Sequence, residues 1–281
     1  MQTKIIDGKK IRDELLQEIK NDVEKLPFVP VFCDILVGDD PVSASYVRIK
    51  AKTAESVGIK FRTAEFPTSV TTEELITEIE ALNRVPHMCG IIIQLPLPSH
   101  IDTPRVLDAI DPSVDVDCLH SLSRKKFYEN TPTYLYPTAR SCVYLVEKYI
   151  PVLKDTHVVV VGQGVLVGKP VAHMLRSLGA NVSVIDSTTE NPHDILRSAQ
   201  VVVSAIGKGK YITKDMLTPG VMVIDAGTSE EGGSIIGDVD FEDVLPIASC
   251  ITPTPGGVGP VTVAMLLSNV VLSAQKRNES R

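Results

Sequence analysis

Apolar residues along this chain change their spacing repeatedly, and each change predicts an element. Ile11, Leu15, Leu16, Ile19, Val23 and Leu26 recur at helical spacing. Residues 31–37, VFCDILV, then read as a strand. Asp40-Pro41 supplies an N-cap and a first-turn proline for a helix over 41–57 that stops at Gly58 and carries Tyr46 and Lys50, four apart, on one face. A strand follows at 61–66, then a Thr71/Glu74 capping box opens a helix bearing Leu75, Ile76, Ile79 and Leu82. Residues 90–93 form a short apolar strand with Gln94 at its C-terminal end, before a helix over 102–110 and the acidic stretch Asp115-Val116-Asp117. After a helix over 138–149 come strands at 158–161, 182–185, 201–204 and 221–224, separated by helix-length segments. Strands alternating with helices predict an α/β protein with parallel sheets. A Pro/Gly loop at 253–260 leads into an apolar helix from Pro260 to about Ala274, expected to pack back on the first domain.

The most informative stretch is VVVVGQGVLVG, residues 158–168. A β-branched strand runs into a glycine turn, a helix follows with Val171, Met174, Leu175 and Leu178 on one face, and the next strand ends at Asp186. Glycines let the backbone approach a pyrophosphate, the helix N-terminus favours that anion, and the acid about twenty residues on suits a ribose diol. Gly162, Gly164, Gly168 and Asp186 are therefore candidate dinucleotide contacts in a doubly wound, Rossmann-like domain. The spacing is G-x-G-x-x-x-G rather than G-x-G-x-x-G, and a purely structural strand–helix turn is the alternative.

Charge and composition narrow the classes. With 28 basic and 35 acidic side chains, a net charge of −7 and no Trp, the chain lacks both a global basic field and an aromatic platform for nucleic acid. Five Cys at 33, 89, 118, 142 and 250, without C-x-x-C spacing, read as free thiols in a reducing compartment. The N-terminus has no apolar signal core, and no apolar run of about eighteen residues stands out. The expectation is a cytoplasmic protein with no membrane partner. The six His form no H-x-x-x-H or H-E-x-x-H pattern, so no metal is expected, and there is no G-x-S-x-G elbow.

Two α/β domains imply a cleft near the C-terminal ends of strands. Gln94 ends a buried strand, a place where site residues collect, or it simply terminates that strand. Lys50 is a solvated helix lysine or, held by Tyr46 and Gln94, a proton-transfer group. Asp115 and Asp117 orient a polar ring or cap a loop.

Taken together, DDPVSASYVRIKAKTAESVGI (39–59), GIIIQLPLP (90–98), DVD (115–117), VVVGQGVLVGKP (159–170), GDVDF (237–241) and ITPTPGGVGPVTVAML (251–266) resemble the methylenetetrahydrofolate dehydrogenase/methenyltetrahydrofolate cyclohydrolase family over nearly the whole chain, in family order. The resemblance implies a folate-binding catalytic domain over 1–138 plus 255–281 and an NAD(P)-binding domain over 139–254. It implies oxidation of 5,10-methylenetetrahydrofolate and hydrolysis of the methenyl product to 10-formyltetrahydrofolate. Lys50 would be the central catalytic residue, Gln94 would hydrogen-bond it, and Tyr46 would position the folate ring. Asp117 would bind the pterin edge, Ile93 and Leu95 would also contact the substrate, and Pro255, Gly256, Gly257, Val258 and Gly259 would wall the substrate site. Gly162, Gln163, Gly164, Ser187 and Thr228 would line the cofactor. The family also suggests a homodimer.

Three departures from the family pattern matter. NADP-type members usually carry Arg-Ser after the first glycine and His-Ser at the next strand's end, where this chain has Gln163-Gly164 and Asp186-Ser187. A 2′-phosphate would lose its cation and meet a carboxylate, so NAD is expected to be preferred over NADP. Cys118 replaces the glycine of DVDG, and YPTARS (136–141) replaces P-C-T-P-x-G, making Arg140 a candidate for new contacts. The competing readings are a dehydrogenase without hydrolysis, a hydroxy- or amino-acid dehydrogenase of similar architecture, and a nucleotide-sensing regulatory subunit. Lys50, QLPLP and PGGVGP weigh against them.

Overall fold

The computed structural model describes residues 3–279, apart from the Val42 side chain. In chain order the elements are β1 (Lys4–Ile5), α1 (Gly8–Val23), β2 (Val31–Val37), α2 (Pro41–Ser56), β3 (Lys60–Phe66), α3 (Thr72–Asn83), β4 (Met88–Ile93), α4 (Thr103–Asp108), α5 (Ser121–Tyr128) and α6 (Pro137–Tyr149). Then follow β5 (His157–Val161), α7 (Gly168–Ser177), β6 (Asn181–Ile185), α8 (Pro192–Arg197), β7 (Val201–Ser204), β8 (Met222–Asp225), β9 (Ser229–Glu231), β10 (Ser234–Ile236), α9 (Phe241–Val244), β11 (Cys250–Ile251) and α10 (Val258–Glu279).

The chain divides into two compact units, one of residues up to Asp13 with Tyr136–Met265, the other of Glu14–Leu135 with the residues from Leu266 on. This differs from the expected 1–138 plus 255–281 and 139–254. The first residues join the nucleotide unit because β1 pairs in parallel with β11, Lys4 opposite Cys250. The division falls within α1 and α10.

The Glu14–Leu135 unit is built on a parallel sheet of order β3-β2-β4. β2 is central and buried almost throughout. Val31, Cys33 and Ile35 face a core with Leu75, Ile79, Ile91, Ile93 and Val106, so Phe32, Asp34 and Leu36 lie on the opposite face. The capping box opening α3 is complete, with Thr71 and Glu74 each bonding the other's backbone, a motif worth about 1 kcal/mol.

The other unit carries a six-stranded sheet of order β1-β11-β8-β7-β5-β6, with every pairing parallel. Val158 to Val161 and Val201 to Val203 are essentially inaccessible to solvent, as strands covered on both faces require. The chain leaves β5 toward β6 on one side and returns to β7 on the other. The topological switch point thus lies between the C-terminal ends of β5 and β7.

α10 is longer than expected. Its length and composition match those of a membrane-crossing helix, but most of its apolar window is buried inside the protein. Val261, Ala264, Leu267, Val270 and Ala274 have no exposed surface. The expectation that no such stretch exists is corrected, because the helix extends beyond the run from Pro260 to Ala274.

Candidate functional site

The first site belongs to the Glu14–Leu135 unit. Asp40 caps α2 by accepting from the Ser43 N–H at 2.7 Å, and Pro41 starts the helix. The helix displays Tyr46, 40% exposed, one turn ahead of Lys50, which is buried. Lys50 Nζ lies 2.8 Å from Asp34 Oδ2. The contact is one of charge, since this oxygen accepts no hydrogen bond of good angle. The other oxygen, Asp34 Oδ1, accepts from Gln94 Nε2 at 2.7 Å. Gln94 reaches it because its own N–H continues the ladder past β4, donating to Ile35 O at 2.9 Å.

This arrangement corrects one expectation. Gln94 donates to Asp34, and Asp34 stands between it and Lys50. The sequence analysis missed Asp34, although a lone carboxylate in the run VFCDILV was the signal. Burial pushes the Asp34 carboxyl above the ordinary carboxylate range, opposed first by the charge of Lys50 and also by the hydrogen bond from Gln94. Removing one partner of such a buried pair costs about 3–5 kcal/mol.

Asp115 and Asp117 separate in role. Asp115 pairs alongside Ile91 and is fully buried, accepting from the N–H groups of Leu119 and His120, both at 3.0 Å. It is a loop cap. Asp117 is half-buried and is pushed up to about 6, first by loss of water and then by Asp115, with Lys50 opposing and Asp34 reinforcing. Asn269 of α10 holds this segment, donating to Val116 O at 2.8 Å and to Leu135 O at 2.7 Å. Ile93 is buried and Leu95 half-buried on either side of Gln94. Cys118, in the place of the family's glycine, is buried with φ +61°, in the left-handed region.

The second site belongs to the six-stranded unit, at its switch point. Gly162 has φ +96°, and a β-carbon there would strike Ala205 O beyond β7. A β-carbon on Gly168 would collide with Gly162 O, so the start of α7 packs directly on the turn. Gly164 has open space around it, and Gln163 folds back to donate to Gly162 O at 2.8 Å. No side chain caps α7 at Val167, which leaves its positive end for an anion. These features fit a dinucleotide.

Asp186 follows β6 and is exposed, and its Oδ1 accepts from Thr188 N, Thr188 Oγ1 and Thr189 Oγ1 at 2.9, 2.7 and 3.1 Å. The Thr188 hydroxyl, then the Thr188 N–H, hold its carboxyl below the usual range, so it is a full anion near neutral pH. Ser187 and Thr228 are exposed beyond β6 and β8. Pro255, Gly256, Gly257, Val258 and Gly259 also belong to this unit, where Gly8 donates its N–H to Gly256 O at 3.0 Å. Arg140 pairs with Glu147 two turns along α6 at 2.6 Å, so this residue is engaged on its own helix.

Two buried carboxylates shape the loops around this turn, and the sequence analysis assigned them no role. Asp238 accepts from Ser204 Oγ, Ile206 N and Lys208 N, each at 2.8 Å, fixing the segment after β7. Asp225 accepts from the N–H groups of Gly227, Asp238 and Val239 at 3.0, 3.1 and 3.0 Å. Burial drives the Asp225 carboxyl up to about 7, and Asp238 adds to it. For Asp238 the GDVDF stretch was the visible signal. Among the described residues, no cluster of His, Cys, Asp or Glu is placed to hold a metal ion.

Known families match both parts of the chain. Residues 6–117 match the catalytic domain of tetrahydrofolate dehydrogenase/cyclohydrolase, and residues 136–278 match its NAD(P)-binding domain. The chain belongs to this family. Within the tetrahydrofolate dehydrogenase/cyclohydrolase family, the bifunctional protein FolD of Nautilia profundicola is 42% identical, with 96% of this chain and 97% of the relative covered. The crystal structure of the bifunctional FolD enzyme of Campylobacter jejuni superposes with a TM-score of 0.94 at 37% identity, covering 98% of this chain and 99% of the other. The Trypanosoma brucei FolD, solved with NADP and an inhibitor, gives 0.94 at 33% identity, covering 99% of each.

Proposed function

We propose that this chain oxidises 5,10-methylenetetrahydrofolate with NAD(P) and hydrolyses the resulting 5,10-methenyl cation to 10-formyltetrahydrofolate, within one-carbon folate metabolism. The observation that carries the reading is the buried Lys50, held 2.8 Å from Asp34 in a chain that matches both domains of the family. When bound, the nicotinamide supplies a hydride acceptor, and the methylene carbon becomes a methenyl cation. In the second half, water adds to that carbon and loses one proton; the resulting hydroxyl then loses a second as the formyl C=O forms and the C–N5 bond breaks, with N5 taking one proton up. The sum is one water consumed and one proton released.

Lys50 is the group that exchanges protons with the adding water and with N5. Tyr46 positions the ring, Asp117 holds the pterin edge, and Ile93 and Leu95 contact the substrate beside Gln94. On the cofactor side, Gly162, Gln163, Gly164 and Gly168 receive the pyrophosphate, while Asp186, Ser187 and Thr228 contact the rest of the dinucleotide. Asp186 is an exposed anion where a 2′-phosphate would bring a second negative charge, so NAD is preferred. The protein acts as a homodimer in the cytoplasm, a compartment suited to its five free thiols.

Initial rates on 5,10-methylenetetrahydrofolate with NAD and with NADP, measured side by side, test the cofactor reading. NAD ahead supports it; NADP ahead discards the role of Asp186 and keeps the activity. Lys50→Ala is expected to lower methenyl hydrolysis by at least about 100-fold, and an unchanged rate would refute the role of Lys50. Sedimentation of the purified protein reports the dimer.

A further inference from the structure

We propose that Asp34 is a positioning residue for the hydrolytic half of this reaction: its carboxylate fixes Lys50 by charge, and loss of that charge displaces the pH profile of hydrolysis. The proposal rests on the function above and adds a residue to it. Asp34 occupies the middle of the central strand, has no exposed surface, and shares its face with Phe32 and Leu36. An apolar residue would suit that place on folding grounds. A carboxylate taken out of water is costly, and a local rule broken inside a core is expected where function needs it.

What the carboxylate does there is visible in its contacts. One oxygen meets Lys50 Nζ at 2.8 Å and the other accepts from Gln94 Nε2 at 2.7 Å. Gln94 thus fixes the plane of the carboxylate, and the carboxylate fixes the lysine. The charged and titratable groups that face this centre come from every neighbouring element. Lys50 comes from α2, and Asp117, with Asp115 beside it, from the segment between α4 and α5. Cys33 is adjacent on β2, with Arg62 of β3 acting on that thiol. One ammonium serves two nearby carboxylates, Asp34 and Asp117, so a proton removed from Lys50 leaves an uncompensated anion 2.8 Å away.

An anion so close favours the charged form of its partner. The limb of the pH–rate profile that this pair governs moves to lower pH when Asp34 loses its charge. A role confined to packing would change the amplitude of the profile and leave its position in place.

The test is methenyl hydrolysis across a pH series with the full-length wild type, Asp34→Asn and Asp34→Val. Both variants are expected to show the limb displaced to lower pH by about one unit or more. Profiles that superimpose on the wild type in pH, at any amplitude, overturn the inference. The valine variant keeps the test open if asparagine fails to fold, since a β-branched side chain suits a buried strand. A titration of the Asp34 carboxyl carbon by NMR, on the unmodified protein, is independent of both variants. An inflection coincident with the hydrolysis profile supports the coupling, and its absence overturns it. A wild type without hydrolysis sinks the function reading and this inference with it, whereas an active wild type with unshifted variants sinks the inference alone.

Discussion

In the three-stranded sheet the central strand carries a buried carboxylate; in the six-stranded sheet β5 and β7, which flank the switch point, carry none. The first unit makes its site from charge, with Asp34, Lys50, Gln94 and Asp117 drawn from a strand, a helix and two loop positions. The second makes its site from backbone. Its turn works because Gly162 and Gly168 lack β-carbons, and its buried carboxylates, Asp225 and Asp238, are occupied by loop N–H groups. A site made of charge is sensitive to a change of one proton and forgiving of small changes in shape. A site made of backbone is the reverse.

The sharpest way to break this comparison is Gly168→Ala. The added methyl would collide with Gly162 O, so the variant is expected to lose about 3 kcal/mol of stability, the upper end of overpacking costs, together with NAD(P) affinity. Chemical unfolding and a cofactor titration check it. An alanine variant that binds like the wild type would mean the turn does not depend on a missing β-carbon.

A second test asks whether the backbone site has a charge sensitivity of its own. Asp225 is held at about 7 in the folded protein, above its ordinary value of 3.8. Between those values the folded chain binds more protons than the unfolded one, so this group's contribution to stability is complete below about pH 4 and declines as pH rises toward 7. Asp225→Asn is expected to flatten the fall of Tm over that window. A slope identical to the wild type would show that the carboxyl is already ionised there.

The smallest effect concerns shape at the charged site. Cys118→Gly relieves a left-handed φ worth about 1–2 kcal/mol, but it removes a buried thiol and adds chain freedom. Its net effect is expected to lie within about 1 kcal/mol of the wild type. Cys118→Val, β-branched at the same φ, is expected to be the less stable of the two. Thermal unfolding of the pair decides, and a more stable valine variant would show that the backbone relaxes there.

Much of the fold was legible because β-branched runs such as Val158–Val161 and Val201–Val203 have no good alternative conformation, and because Gly162 and Gly168 punctuate them. The two-residue strands β1 and β11, the hairpin of β9 and β10, and the short helix α5 were not, since elements so brief carry no periodicity. The sites divide in the same way. Gly162 and Asp186 were candidates by spacing alone. Tyr46, Lys50 and Gln94 were candidates by position, and their roles came from the family resemblance. Asp34 stayed hidden because its meaning depends on a lysine on the next helix and a glutamine sixty residues further on, which only the folded chain brings together.

The pairing of β1 with β11 also governs when this protein can finish folding. Lys4 is made 246 residues before its partner Cys250, a delay of roughly 12–50 s at ordinary translation rates. Until then the first strand has no neighbour, and the edge it will cover does not exist. Removing the first few residues would leave β11 as the sheet's bare margin, open to strand exchange with another copy. β1 thus finds its place in the sheet only after β11 has been made.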